Sequence, residues 1–258
     1  YAYARANPSS ASTVPGNLYI LGGCTGTGPG CTGYVDAVYK CQILPSGAIG
    51  DGTGGSSKCT TSGQLQIGTI PGGSGTGLAA HAGTVYANYI YLIGGIGNGI
   101  VDLATVRYAK FDNNNNIVAV TGSAWVESPN QMHTGRRRGA GIGYNGYIYI
   151  VGGYEATAGV LADIEFAKVD VSDGSIGEFN VSSVTVNQRW GLTVAISNSF
   201  AYVIGGCTVG ASPGGCTTRA DMVQTFQIYN NDNGAPVGYA PSANAFATDR
   251  LGASSAIY

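Results

Sequence analysis

The sequence predicts an all-β fold, a β-propeller whose blades are four-stranded antiparallel sheets. The first observation is a run of alternating aromatic and aliphatic residues that closes on two glycines and occurs four times, as NLYILGG, YIYLIGG, YIYIVGG and FAYVIGG. The second is the composition, since 43 of the 258 residues are glycine, 17 are tyrosine and only 10% are charged. Such a composition suits short strands joined by tight turns and leaves too little charge for long amphipathic helices.

Each diglycine run is the second strand of a predicted hairpin. A turn precedes it, as in YNGY at 144–147 and SNSF at 197–200, and a strand of small residues precedes the turn. After the glycines come a polar loop, a third strand that opens near an aspartate, a turn rich in Gly, Asn and Asp, and a fourth segment with an aromatic or apolar residue such as Trp125. Each repeat therefore supplies about four short antiparallel strands.

The spacing of the glycine pairs also gives the period of the repeat. The repeats differ in length but not in content, and their period is typical of propeller blades. Glycine at the end of an inner strand permits close approach of the next blade and a positive φ. We expect one domain over residues 1–258, with repeats at 5–76, 77–135, 136–188 and 189–249 and a partial fifth repeat at 250–258.

The partial repeat, RLGASSAIY, resembles the first strand of a blade without its hairpin partner. Three explanations are open. The strand completes the first blade and so closes the propeller without a free sheet edge. Alternatively, the chain is the visible part of a longer propeller. In the third explanation, the strand adds to a neighbouring molecule's sheet and builds a polymer.

These residues resemble the kelch repeat family, whose signature is a hydrophobic run closed by Gly-Gly and followed at intervals by a tyrosine or aspartate and a tryptophan. The phrase DGSIGEF at 173–179 is similar to a bacterial, secreted style of kelch repeat that reads DG-x-IG-x-W. The resemblance covers nearly the whole chain, although the tryptophan is kept only at Trp125. It implies a propeller, and in this family six or seven blades are more frequent than four.

The six cysteines form three local pairs in sequence. They are Cys24 with Cys31, Cys41 with Cys59, and Cys207 with Cys216. Fifteen pairings are possible for six cysteines, but nearest-neighbour pairing closes short glycine-rich loops at little entropic cost. A metal site is the weaker interpretation because no Cys-x-x-Cys and no nearby histidine is present. Disulfides predict an oxidising location, either extracellular or at the cell surface.

The charge and hydropathy of the chain exclude two classes of partner. The formal net charge of −2 gives no electrostatic basis for binding nucleic acid or an anionic membrane surface. No apolar run approaches the length that spans a bilayer, so no membrane insertion is expected in this portion. The chain opens at Tyr1 without a methionine, which indicates either a removed signal or a piece of a longer polypeptide.

Arginines recur near the start of several predicted blades, close to one mouth of the channel. The candidate ligand-binding residues are Arg5, Arg136, Arg137, Arg138, Arg189 and Arg250. Guanidiniums around one opening would hold carboxylates or sulfates bidentately. The favoured alternative is that each arginine bonds carbonyls of an adjacent blade. Because strand residues alternate in direction, the run 136–138 is expected to leave at least one arginine for a ligand.

Catalysis has little support in the sequence. The histidines, His81 and His133, lie in different repeats without a metal or nucleophile pattern, so we predict no catalytic residues, metal or cofactor. The predicted function is a non-catalytic extracellular binding or structural module that contacts surface protein or glycan partners through channel-mouth and disulfide-closed loops. One alternative is self-assembly into an extracellular filament by strand addition. A second is a carbohydrate-active enzyme resembling galactose oxidase or a sialate epimerase. Asn180 opens an N-x-S sequence and is a candidate glycan acceptor.

Overall fold

The structure is a computed structural model, and it describes most of the chain. The described ranges are 2–6, 16–25, 33–44, 46, 48–50, 59–68, 77–97, 102–210, 215–229 and 233–245. Within them the chain is all-β, with antiparallel strands joined by turns and loops and without a helix. Consequently, no helix in the described ranges is able to span a membrane. The partial fifth repeat, 250–258, lies outside the described residues.

The first two sheets are formed by nine strands. They are β1 (Ala2–Ala6), β2 (Gly16–Thr25), β3 (Gly33–Ile43), β4 (Ile49–Gly50), β5 (Ala82–Tyr86), β6 (Tyr89–Ile93), β7 (Val106–Phe111), β8 (Ile117–Val118) and β9 (Val126–Glu127). The first sheet has the order β1-β2-β3-β4, and the second has the order β5-β6-β7-β8 with β9 paired to β7. Strand β1 therefore occupies the place in the first sheet that the first explanation of the partial repeat assigned to residues 250–258.

The third and fourth sheets repeat this meander. Their strands, with an intervening hairpin, are β10 (Ala140–Tyr144), β11 (Tyr147–Glu155), β12 (Gly159–Lys168), β13 (Asn180–Val181), β14 (Thr193–Ser197), β15 (Phe200–Ile204), β16 (Cys207–Val209), β17 (Thr218–Arg219), β18 (Met222–Ile228) and β19 (Pro236–Ala245). The third sheet has the order β10-β11-β12-β13, and the fourth has the order β14-β15-β18-β19. The hairpin β16–β17 is a separate two-stranded sheet after the fourth glycine pair.

Consecutive sheets pack face to face and enclose three apolar cores. The first core contains Tyr19, Leu21, Ile90 and Leu92; the second contains Tyr91, Ile93, Ile148 and Ile150; and the third contains Tyr149, Val151, Ala201 and Val203. Successive side chains of a strand point to opposite faces. The second strand of each interior sheet therefore feeds two cores, which explains why all five residues of β6 are buried and why this strand reads as a continuous apolar run.

The glycine pairs adopt the conformation that the sequence predicts. The first glycine of each pair is left-handed, with φ of 62° at Gly22, 62° at Gly94, 56° at Gly152 and 63° at Gly205. L-residues other than glycine rarely populate this region. The register of the first and third sheets shifts at the pair, between Leu21 and Gly23 in one and between Val151 and Gly153 in the other, so the pair also bends the strand.

The same pairs join each sheet to the next through one repeated hydrogen bond. The N–H of the second glycine donates to a carbonyl just ahead of the next sheet: Gly23 to Leu78 at 2.8 Å, Gly95 to Arg136 at 2.7 Å, and Gly153 to Arg189 at 2.8 Å. A Cβ on the first glycine of these three pairs would lie only 2.4 to 2.7 Å from that carbonyl oxygen. Close approach of the next sheet is therefore the second reason for glycine, as predicted.

Small residues in the first strand of each sheet serve a similar purpose. Strand β10 lies against β5 of the preceding sheet, and a Cβ on Gly141 would lie 3.0 Å from the Gly83 carbonyl oxygen. A Cβ on Gly143 would lie 2.8 Å from Cβ of Tyr86. The sequence AGIGY of β10 is thus explained by the contact between neighbouring first strands.

Candidate functional site

The candidate site is the diglycine edge, which we define as the edge of the sheets where the second strands end on the glycine pairs. Backbone pairing fixes which residues correspond from sheet to sheet. Leu78, Arg136 and Arg189 correspond because each accepts the N–H of the preceding sheet's second glycine. Arg137 and Trp190 correspond because each bridges to the residue after the glycine pair of its own sheet. Arg136, and not Arg137, is therefore the counterpart of Arg189.

Arg136 is fixed inside the third sheet. Its Nη1 donates to the Gly152 carbonyl at 3.1 Å, its Nε donates to the Thr134 carbonyl at 3.2 Å, and its Nη1 and Nη2 hold Asp163 at 2.8 and 2.7 Å. Its Nη2 also donates to Oε1 of Glu165. The Arg136 side chain is 1% exposed and that of Glu165 is 0% exposed, so this guanidinium is committed to internal partners.

Arg189 repeats this arrangement in the fourth sheet. Its Nε donates to the Asn187 carbonyl at 3.1 Å, its Nη1 donates to the Gly205 carbonyl at 3.1 Å, and its Nη2 donates to the amide oxygen of Gln224 at 2.6 Å. Arg189 is fully buried. The predicted alternative placed the carbonyl partners in an adjacent blade. That placement is wrong, because the Gly152 and Gly205 carbonyls belong to the same sheets as Arg136 and Arg189. Each guanidinium also contacts a polar side chain of the third strand.

The second sheet lacks this arginine and uses a different pair. Leu78 occupies the arginine position and is buried. Arg107, which lies opposite Leu92 in the place that Glu165 has in the third sheet, forms an ion pair of 2.9 Å with Glu127. A charge at this position of the third strand therefore occurs in both sheets, but with opposite sign.

Arg137 links the second sheet to the third at the diglycine edge. Its Nη1 lies 3.1 Å from Oδ1 of Asp102, and its guanidinium lies 4.9 Å from the centre of the Tyr154 ring. Asp102 also accepts the Ala156 N–H at 2.7 Å. Burial raises the pKa of the Asp102 carboxyl above its ordinary value, although the Ala156 N–H and Arg137 oppose this.

Arg138 is the most exposed arginine of the run 136–138. It is half-buried, it has a left-handed φ of 54°, and its guanidinium lies 5.3 Å from the centre of the Trp190 ring, a cation–π contact. Burial lowers the pKa of Arg138 from its ordinary value, and the positive charge of the nearby Arg137 lowers it further. Its backbone continues the links between sheets, since its N–H donates to Ala80 and its carbonyl accepts from Gly191.

The two remaining predicted arginines are not placed with this group. Arg5 lies within β1, opposite Asn17, in the place that Tyr144 has opposite Tyr147 in the third sheet. The expectation that Arg5 precedes a first strand is therefore wrong, because β1 begins earlier than the sequence pattern indicates. Arg250 lies outside the described residues.

Two of the three predicted disulfides are present. Cys41 bonds Cys59 and Cys207 bonds Cys216, which is compatible with an oxidising environment. The third predicted pair includes Cys31, which lies outside the described residues. The Cys207–Cys216 bond closes the hairpin β16–β17 directly after the fourth glycine pair.

That hairpin is also held by a tryptophan. The indole N–H of Trp190 donates to the Gly210 carbonyl at 3.2 Å, and the Trp190 backbone pairs with Cys207. Residues 217–219 of the hairpin are exposed. The diglycine edge of the fourth sheet therefore presents a braced, solvent-facing hairpin next to Arg138.

The histidines and Asn180 are in separate places. His81 is buried, and burial holds its pKa well below the ordinary value. His133 has a side chain 57% exposed, and its Nδ1 lies 3.2 Å from Oε2 of Glu165. Within the described ranges, no cluster of three or more His, Cys, Asp or Glu residues forms a potential metal site. Asn180, the candidate glycan acceptor, is exposed and lies in strand β13.

Glu165 and Gln224 are the polar residues that sequence reasoning missed. Each lies opposite an apolar residue of the second strand, Ile150 or Val203, and each is fully buried. A single polar residue at the same buried position of two third strands was the available signal.

No protein-family model and no curated protein matches this chain.

Proposed function

We propose that this chain is a non-catalytic binding or structural module that acts outside the cytoplasm and contacts protein or glycan partners through the diglycine edge. The observation that carries the proposal is the division of the arginines. Arg136 and Arg189 are buried among internal acceptors, whereas Arg138 lies half-buried beside an exposed hairpin. A guanidinium supported by an indole ring is well suited to a carboxylate or sulfate group of a partner.

We also propose that the sheets are blades of a kelch-like β-propeller. Three features support this. Consecutive sheets pack face to face, the glycine pairs link each sheet to the next, and the first strands β5, β10 and β14 are neighbours. Blades of a propeller pack in this way around an axis, with their first strands innermost.

The extracellular location is supported by the two disulfides, because such bonds persist in oxidising compartments. A disulfide-closed loop of this size is typically stabilised by about 2 to 3 kcal/mol. In the hairpin β16–β17 this stabilisation orders a surface before a partner arrives, which lowers the entropic cost of binding.

Binding to an array of neutral, carboxylated and sulfated glycans tests the proposal. We expect anionic glycans to be retained, and we expect R138A to weaken their binding about tenfold because one charge-assisted contact is lost. The matched control is K168A, since Lys168 is an exposed cation at the far end of β12 from the diglycine edge. Equal losses in both variants would indicate non-specific charge attraction.

The outcome that contradicts the proposal is turnover. Oxidation of galactose with release of hydrogen peroxide, or epimerisation of a sialic acid, by the purified chain would identify an enzyme. Loss of that activity in H133A, at unchanged thermal stability, would then place the chemistry at the exposed histidine.

A further inference from the structure

Three interfaces of one kind join the four sheets. The outer faces of the first and fourth sheets resemble the two sides of such an interface. One half is the fourth-sheet outer face, which we define by Phe200, Tyr202 and Thr225. The other half is the first-sheet outer face, which we define by Ile20, Tyr39 and Ile49. We propose that these two faces bind each other between copies of this chain, head to tail and by stacking of sheets. The proposal goes beyond the binding role above and does not depend on it.

A tyrosine of the second strand forms the same hydrogen bond at each of the three interfaces. Tyr19, Tyr91 and Tyr149 occupy the same place before the glycine pairs, and each hydroxyl donates to a carbonyl in the turn that follows the third strand of the next sheet. The acceptors are Asn115 at 2.5 Å, Gly174 at 2.9 Å and Gly234 at 2.8 Å.

Tyr202 is the fourth member of this series. Its hydroxyl makes no hydrogen bond within the described part of the chain. The fourth sheet therefore presents the donor of the interface without the acceptor turn that its three counterparts contact.

An aromatic ring two residues before this tyrosine also contacts the next sheet. A Cβ on Gly174 would lie 2.3 Å from the Tyr89 ring, and a Cβ on Gly234 would lie 2.6 Å from the Tyr147 ring. Each ring thus lies directly on a turn glycine of the next sheet. Phe200 occupies the same place in the fourth sheet but is 39% exposed, compared with 9% for Tyr89 and 6% for Tyr147. A shallow depression of about 310 Å³ lies on this face, beside Phe200 and Thr225.

The first-sheet outer face shows the complementary exposure. Ile20 is 38% exposed, whereas its counterparts Leu92 and Ile150 are 1% and 0% exposed. Ile49 is 44% exposed, whereas its counterparts Ile117 and Ile176 are 0% and 4% exposed.

The first sheet also carries the turn sequence that the fourth-sheet face requires. Residues 47–50 read GAIG, which matches GSIG at 174–177, the turn that accepts Tyr91 and Tyr89. Gly47 itself lies outside the described residues. The chain therefore encodes both the aromatic half and the glycine half of one more interface of the same kind.

A second copy is the occupant that satisfies both faces at once. Because the two faces differ, the contact is heterologous, and it produces either a closed ring or an open chain of copies. Face-to-face stacking covers the exposed aromatic and aliphatic side chains of both faces.

Sedimentation velocity of the 258-residue chain over a range of concentrations tests the proposal. We expect the wild type to assemble, and we expect I20E and F200E each to remain monomeric, because each retains only one intact face. An equimolar mixture of I20E and F200E should form a dimer and nothing larger, since one intact half is available from each. V181E is the matched control, because Val181 is an exposed apolar residue on β13, and it should assemble like the wild type.

Three results would overturn the proposal. A wild type that stays monomeric at every concentration, with Phe200 and Ile20 protected from solvent, would mean that the chain covers its own end faces. Unchanged assembly of I20E and F200E would indicate another contact, such as strand addition. A mixture of the two variants that fails to dimerise would exclude a heterologous contact. Circular dichroism of both variants establishes that they remain folded.

Discussion

The third and fourth sheets hold a buried arginine in the same geometry but with different acceptors. Glu165 accepts from Arg136 in the third sheet, and Gln224 accepts from Arg189 in the fourth. The connection ahead of the third sheet is one residue longer, because His133 has no counterpart in the sequence VNQR that leads to Arg189.

That extra residue explains the difference in acceptor. Glu165 accepts the N–H groups of both His133 and Thr134, one at each carboxylate oxygen. The single amide oxygen of Gln224 accepts the N–H of Asn187 together with Nη2 of Arg189. We therefore expect that the extra backbone donor, the N–H of His133, favours a carboxylate over an amide at this position of the third strand.

Removal of the buried arginine should give the largest difference in stability between the two sheets. R136A is expected to lower the free energy of unfolding by about 3 to 5 kcal/mol, because it leaves the fully buried Glu165 carboxylate without its cation. R189A should cost less, about 1 to 3 kcal/mol, since only neutral acceptors, one amide and two carbonyls, lose a donor. Urea unfolding at pH 7 measures both values. An equal cost in the two sheets would mean that the charge of Glu165 is irrelevant.

Exchange of the acceptor tests the explanation directly. E165Q is expected to cost about 1 to 3 kcal/mol, because an amide nitrogen then faces the backbone N–H of His133 or Thr134. Deletion of His133 in the E165Q background reproduces the connection of the fourth sheet and should recover most of that loss. If the deletion lowers the urea midpoint further, the count of backbone donors does not determine the acceptor.

The tyrosines of the two sheets provide the smallest expected effect. Y149F removes the hydrogen bond to the Gly234 carbonyl and should cost about 1 kcal/mol at pH 7, whereas Y202F should leave the stability of the monomer unchanged. Differential scanning calorimetry of the two variants at a concentration below assembly measures this difference. A larger loss in Y202F would reveal an intramolecular partner for that hydroxyl.

The stability of the protein at alkaline pH provides a second test of the buried Tyr149 hydroxyl. Burial raises the pKa of Tyr149 above its ordinary value, while a tyrosine in the unfolded chain ionises near pH 10. Above about pH 10 the unfolded state therefore binds fewer protons than the folded state, and stability falls as the pH rises. Y149F removes this contribution, so its stability should decline less steeply than that of the wild type in the same range.

Much of the fold could be predicted from the sequence because its main signals are local. A strand that alternates and then ends on two glycines depends on period-two side-chain direction and on left-handed φ, which nearby residues specify. The hairpin partners, the third strands and the Cys41–Cys59 and Cys207–Cys216 pairs follow from short separations in the chain. The position of Arg5 was missed because the other repeats have a short turn between their first two strands, whereas nine residues separate β1 from β2.

The candidate site was less accessible to sequence reasoning because it depends on register. Which arginine of the run 136–138 enters the sheet is fixed by bonds to Gly95 and Tyr154, which are distant in sequence. The three side chains diverge as expected, but not by strand alternation, because the run precedes β10 and Arg138 has a left-handed φ. It did not identify Glu165, since a partner across two strands follows from pairing rather than from composition.

The repeated hydrogen bond of the glycine pairs has a consequence for how such a chain originates. Every internal repeat carries both the donor, at its second glycine, and the acceptor, at the residue ahead of its first strand. A duplicated gene segment that spans one repeat therefore brings a complete joint with it, and the new sheet docks without any compensating substitution. Lengthening of the chain by tandem duplication is in this respect neutral for packing, and selection then acts on the loops.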